Sequence, residues 1–145
     1  MSKEIVLNNS QFGTLNIDED KIINFPQGIL GLEDIKRYVI LVFEEYEPFQ
    51  FLVAVDDPEI TFPIVSPLIV IEKYLPEITK DNVALIGDFA DEDLILYAIV
   101  TIKEDKKKVT ANLKGPIIIN QKNKIAQQII IEEEEYSMEH PFLNL

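Results

Sequence analysis

The chain has no cysteine, no tryptophan and one histidine, His140. Without cysteine there is no disulfide, no thiolate nucleophile and no Cys-ligated zinc. A lone histidine cannot make a two-histidine metal site. Positive charge is scarce as well: 13 Lys and Arg face 26 Asp and Glu, a formal net charge of −13. Nucleic-acid binders draw much of their affinity from Lys and Arg on phosphate, so direct nucleic-acid binding is not expected. An acidic field favours basic protein partners and speeds encounter with them. No stretch approaches the roughly 18 consecutive apolar residues of a spanning helix. The start, "MSKEIVLNNS", does not read as a signal peptide. The expectation is a soluble, cytoplasmic protein with no membrane contact. Phosphate loops of the GxxxxGK[ST] type, GxGxxG and GxSxG are all missing. No small-molecule substrate or cofactor is suggested.

What is present is strand. The 145 residues suit one domain, taken as 1–145, large enough to bury a core without staples. "EIVLN", "FGTLNI", "KIINF", "YVILVF", "FQFLVAV", "FPIVS" and "LILYAIVTI" carry strand composition. "YVILVF" and "FQFLVAV" are apolar on both faces. "PQGILG" reads as a turn-rich loop, and "LEDIKRY" as the best short-helix candidate. Residues 68–87 are ambiguous. "VTANL", "PIIIN" and "IAQQIIIE" read as a closing meander after the charged turn "KEDKKK". The fold class is therefore mostly β: an antiparallel, barrel-like domain with few short helices.

One stretch is oddly punctuated. In "TANLKGPIIIN", Gly115–Pro116 opens an apolar run between Asn112 and Asn120. Glycine reaches backbone angles other residues avoid, and Pro116 has no N–H for a ladder. Together they predict a bulge or a sharp bend at a barrel corner. Asn112 is then expected to satisfy backbone groups that the interruption exposes. Asn120 is expected to start a polar hairpin loop.

Chemistry is thin. Asp56 and Asp57 stand before Pro58, and carboxylates suit hard cations. Adjacent strand residues point to opposite faces, which favours a turn there. The enzymatic alternative is a metal-assisted hydrolase using Asp56, Asp57 and His140. The acidic runs "DFADED" and "IEEEEYSMEH" read as solvated turn and tail.

Several segments, in order, carry a resemblance: "FGTLNI", then "IINFPQGILGLEDIKRYVI" with Phe25, Pro26 and Gly28, then "PFQFLVAVDDP", "IVTIKED", "TANLKGPIIIN" and "EYSMEHPF". The chain resembles the flagellar assembly factor FliW family across most of its length, less so from Ile69 to Leu94. The resemblance implies a compact β-barrel-like protein without catalytic activity. It implies two protein partners, flagellin and the RNA-binding regulator CsrA, whose repression of flagellin synthesis it would relieve. With the charge, it makes the acidic clusters Asp18, Glu19 and Asp20, Glu44, Glu45 and Glu47, and Asp56 and Asp57 the candidate partner-binding residues. Glu132 to Glu135 rank lower, because a tail can swing away.

Overall fold

A computed structural model describes residues 3–104 and 108–144. The fold is mostly β, with eleven strands among the described residues: β1 Glu4–Asn9, β2 Gly13–Asp18, β3 Ile23–Asn24, β4 Arg37–Val42, β5 Gln50–Ala54, β6 Thr61–Val65, β7 Leu94–Lys103, β8 Lys108–Ala111, β9 Ile117–Asn120, β10 Ile125–Gln128 and β11 His140–Asn144. One short α-helix, α1, spans Pro67–Val70; Ser66 caps it and proline sits in its first turn. Among the described residues, no helix is long and apolar enough to cross a membrane.

Seven strands close a barrel in the order β7-β6-β5-β4-β3-β10-β9, with β9 returning to β7. An odd ring of alternating strands must contain a parallel neighbour. That pair is β3–β10, joined through Ile125 opposite Asn24. The other six seams are antiparallel.

Side-chain alternation sorts the barrel. Inward positions hold Ile23, Phe25, Tyr38, Leu52, Ile64, Tyr97, Ile117 and Ile119 in one cluster. The β1–β2 hairpin lies outside and packs Leu7 and Ile17 on Val39, Leu41, Phe51 and Val53. This second layer explains why "YVILVF" and "FQFLVAV" are apolar on both faces. A third cluster buries Tyr74, Ile86, Leu113, Ile129, Ile131 and Tyr136 against the outer face of β7, β8 and β9. Residues 68–87, ambiguous in sequence, thus mostly form an irregular cover over that face.

The interruption at Asn112–Pro116 is a corner of the barrel. Strand β7 pairs with β8 from Val100 onward and with β9 up to Tyr97. Between them two residues of β7, Ala98 and Ile99, face the five from Asn112 to Pro116. Strand β8 leaves the ring to pair with β11, and β9 stays in it. The excursion's backbone groups find partners from several directions, as buried groups must. Asn112 Oδ1 accepts from the N–H groups of Lys114 at 3.1 Å and Gly115 at 2.7 Å. Tyr74 Oη donates to the Leu113 carbonyl at 2.6 Å, and Gln128 Nε2 to that of Gly115 at 2.9 Å. Ile131 and Ile129 N–H groups reach the carbonyls of Lys114 and Pro116.

Four expectations need correction. "LEDIKRY" is turn leading into β4, not helix: β4 claims Arg37 and Tyr38, and Phe25 N–H bonds to the Lys36 carbonyl. Gly115 is not among the left-handed glycines, which are Gly13, Gly28, Gly31 and Gly87. Its reason is space, since a Cβ there would stand 3.0 Å from Asn112 Nδ2 and 3.1 Å from Gln128 Nε2. Asn120 does start the loop, its Oδ1 accepting from Lys122 N–H at 3.1 Å, but it is fully buried rather than solvated, and its Nδ2 donates to the carbonyls of Ile86 and Asp88 at 2.8 and 3.0 Å. Finally, the glutamate run is no loose tail. It is followed by β11, which pairs with β8, and Glu133 Oε2 accepts from Glu77 N–H at 3.0 Å. The "KEDKKK" turn lies partly outside the described residues.

Candidate functional site, an apolar groove with an acidic rim

The site begins at "FPQGILG". Phe25 is fully buried and Ile29 nearly so, both inside the barrel cluster. They anchor a loop whose turns are held by Gly28 N–H on the Phe25 carbonyl and Leu32 N–H on the Ile29 carbonyl. Gly28 has φ +68°, and a Cβ there would stand 2.6 Å from the Glu33 Cα and carbonyl oxygen. No other residue fits that close approach. Pro26 is exposed beside the buried Phe25. So shaped, the loop turns Ile29 inward and leaves Leu30 66% exposed.

Two other segments meet Leu30. Gln128 Oε1 accepts from Leu30 N–H at 2.8 Å while its Nε2 holds Gly115, so one amide ties the loop to the barrel corner. Beyond Gln128 the chain buries Ile129 and Ile131 and turns Ile130 outward. Met138, after the glutamate run, is also exposed. Three hollows connect these residues. The first, about 540 Å³, is lined by Ile29, Leu30, Phe62, Ile99, Met138 and Glu139 among others. The second, about 310 Å³, shares Leu30 and Gln128 and adds Glu33 and Ile130. A third, about 120 Å³, shares Ile130 and adds Glu77, Glu132 and Glu133. The result is a groove with apolar knobs at Met138, Leu30 and Ile130. Among the described residues its lining carries five glutamates and no Lys or Arg. Glu139 is already paired with Lys103 at 2.8 Å, and Glu33 with the Gly31 N–H at 3.1 Å. Contiguous exposed apolar surface of this kind marks interaction sites.

The sequence-predicted acids lie elsewhere and apart. Asp18 Oδ1 accepts from Asp20 N–H at 2.9 Å, capping the short 3-10 turn Glu19–Lys21. Glu44 and Glu45 sit on the turn joining β4 to β5, with Glu47 just after it. Phe12, Phe43, Tyr46 and Phe51 pack together beside this turn. Asp56 and Asp57 stand at the other end of that hairpin, one strand-length away. Arg37 grips Asp56 with Nη2 at 2.6 Å and Nε at 3.2 Å, which holds the Asp56 carboxyl below its usual range and raises the guanidinium. His140 is on β11, opposite Ala111. The structure does not bring it to Asp56 and Asp57, and among the described residues no group of three His, Asp or Glu could hold a metal.

A family profile described as FliW protein matches residues 6–143. The chain belongs to the FliW family. Curated relatives agree with the profile. The flagellar assembly factor FliW of Natranaerobius thermophilus is 35% identical over 139 residues, covering 95% of this chain and 92% of the relative. That of Alkaliphilus metalliredigens is 36% identical, with 96% and 86% covered. A crystal structure of the flagellar assembly factor FliW superposes with a TM-score of 0.86 at 28% identity, covering 94% of this chain and 96% of the other. The FliW family name thus rests on the whole barrel and on the order of its segments. Sequence reasoning missed Leu30, Ile130 and Met138 as a FliW surface. The available signal was a pair of adjacent apolar residues between two glycines in "GILG", where a solvated loop needs none.

Proposed function

We propose that this FliW-family chain acts as a non-enzymatic cytoplasmic regulator, working as one unit over residues 1–145. It binds flagellin and antagonises CsrA, so that flagellin synthesis is released from repression. The observation that carries this reading is the groove: apolar knobs for a protein surface, with a lining that among the described residues holds carboxylates and no Lys or Arg. A basic RNA-binding protein complements such a rim, and the net charge of −13 steers it in.

Antagonism of RNA binding then has an electrostatic component. An acidic body docked beside a phosphate path opposes the RNA, but only within about 8 Å at physiological salt. The predicted acidic clusters are separated in the fold, so each can act at only one place. Arg37 offsets Asp56, which leaves Glu44, Glu45 and Glu47, or Asp18, Glu19 and Asp20, better placed to repel.

The test is binding of purified flagellin and CsrA to the protein and to a Leu30→Asp, Ile130→Asp, Met138→Asp variant. These positions are exposed, so the melting temperature should hold while binding of at least one partner falls more than tenfold. Unchanged binding of both partners refutes the groove. Absence of binding to either by the unmodified protein refutes the function.

A further inference from the structure

The barrel has two ends, and they differ. Along β7 and β10 the groove end is marked by Ile99 and Gln128, the other end by Ile95 and Lys124. Phe25 and Ile29 fill the barrel toward the groove end. The other end is open. It holds a hollow of about 280 Å³, lined by Ile23, Ile40, Ile95, Tyr97 and Ile119, with Lys21, Gln121 and Lys124 completing the wall. Barrel mouths are a recurrent place for ligands, and this volume falls just below the roughly 300–1,000 Å³ usual for them.

The chemistry of this mouth runs against that of the whole chain. The protein has twice as many acids as bases, 26 against 13, yet among the described residues two lysines and no carboxylate line the hollow; Asp18, Glu19 and Asp20 precede Lys21 on its turn but are not part of the lining. Neither lysine is in an ion pair among the described residues. The floor is apolar, and the Tyr97 hydroxyl is already engaged with Gln50 Oε1 at 3.0 Å. Lys124 is the one non-glycine residue with positive φ, 59°, among those described. It is held there by its N–H on the Asn120 carbonyl at 2.8 Å and by Asn24 N–H on its own carbonyl at 2.9 Å. Asparagine or glycine would take that turn at lower cost. A lysine in their place puts a cation on the wall of an apolar hollow.

We propose that the open mouth binds a short aliphatic monocarboxylate, its anionic head at Lys21 and Lys124 and its chain on the isoleucine floor. An apolar floor with a cationic wall and no wall carboxylate selects an anion with an apolar body over a sugar, a nucleotide or a cation. The small volume selects a short chain. This site is independent of the groove and of the partners assigned to it.

Titration with sodium octanoate, followed by methyl NMR of the isoleucines, tests this. The expected result is saturable shifts at Ile23, Ile40, Ile95 and Ile119, with octanol at least tenfold weaker. Lys21→Gln combined with Lys124→Asn should lower octanoate affinity at least tenfold, and asparagine keeps the left-handed turn. An unchanged spectrum away from the mouth shows that the variant is folded. A peptide ending in Leu-Leu with a free carboxylate is the second arm. Binding of that peptide without binding of octanoate overturns the proposal in favour of chain-end capture. Octanoate shifts that are absent, or indifferent to the two lysines, overturn it outright.

Discussion

Two glycines in one loop allow conformation and contact to be weighed separately. Gly28 and Gly31 both have left-handed backbones, φ +68° and +88°. A Cβ at Gly31 would meet nothing within 4 Å, whereas at Gly28 it would stand 2.6 Å from two backbone atoms of Glu33. Gly31→Ala therefore carries only the left-handed cost, about 1–2 kcal/mol. Gly28→Ala carries the same cost plus an overlap that no side-chain rotation relieves. Forced overpacking adds about 1–3 kcal/mol, for a total of about 2–5 kcal/mol. At about 4 °C per kcal/mol for a chain of this size, Tm should fall by about 8–20 °C for Gly28→Ala and about 4–8 °C for Gly31→Ala. Thermal melts by circular dichroism, with urea midpoints alongside, measure both. Because the loop carries Leu30, Gly28→Ala should also weaken partner binding below the melt, and Gly31→Ala should do so less. If the two variants lose the same stability, the close approach to Glu33 is not what fixes Gly28, and the shape of the loop must be explained differently.

Tyr38 is fully buried, and among the described residues its hydroxyl has no hydrogen-bond partner, so Tyr38→Phe should leave stability at pH 7 unchanged or raise it by up to about 1 kcal/mol in urea unfolding. Burial also pushes the Tyr38 phenol up to about 12; the folded state keeps the phenol neutral, so stability is undiminished below the unfolded value near 10 and falls as pH rises to about 12, and the alkaline fall in unfolding free energy from urea melts should be smaller in Tyr38→Phe by up to about 2–3 kcal/mol, leaving the part due to Tyr74 and Tyr97, which burial also raises. Asn112→Ala removes the acceptor for the Lys114 and Gly115 N–H groups and should cost about 2–4 kcal/mol in the same assay; a loss under 1 kcal/mol would mean that water replaces the amide. Asn120→Ala frees the Asp88 carbonyl and leaves that of Ile86 to Asn123 Nδ2 alone, so hydrogen exchange should accelerate across residues 83–90 before it does in β4 or β5, and uniform acceleration would count against a local tether.

The residues show why some of this was readable in the sequence and some was not. The strands with apolar residues on both faces could be recognised because the outer hairpin covers β4 and β5, and continuous apolarity is the local trace of burial on both sides. The break at Gly115–Pro116 was readable because proline and glycine act on their own backbone. The helix expected at "LEDIKRY" failed for the opposite reason. Its spacing of charged and apolar residues is compatible with a helix, but pairing of β3 with β4 and the two left-handed glycines before it decide its shape, and those are contacts made elsewhere. The acidic runs are visible as composition, yet Asp56 is matched by Arg37, nineteen residues upstream. The groove is the least legible feature. Leu30 lies far along the chain from Ile130 and Met138, and Gln128 links it to the barrel corner through hydrogen bonds no local pattern encodes.

The parallel seam between β3 and β10 has a consequence for the order in which the molecule assembles. Most other seams of the ring join strands that follow one another closely, so they can form as hairpins at small entropic cost. The β3–β10 seam joins residues about a hundred positions apart through a single matched pair, Ile125 and Asn24, backed by Asn24 N–H on the Lys124 carbonyl. Little enthalpy is returned there for a long loop closed, so this seam should form last on folding and part first on unfolding. An unclosed ring would exist as a curled sheet with β3 at one edge and β10 at the other, its interior isoleucines open to water. A chain caught before closure should therefore be more prone to associate than the closed barrel, and substitutions at Ile23 or Asn24, which form β3, should prolong that state.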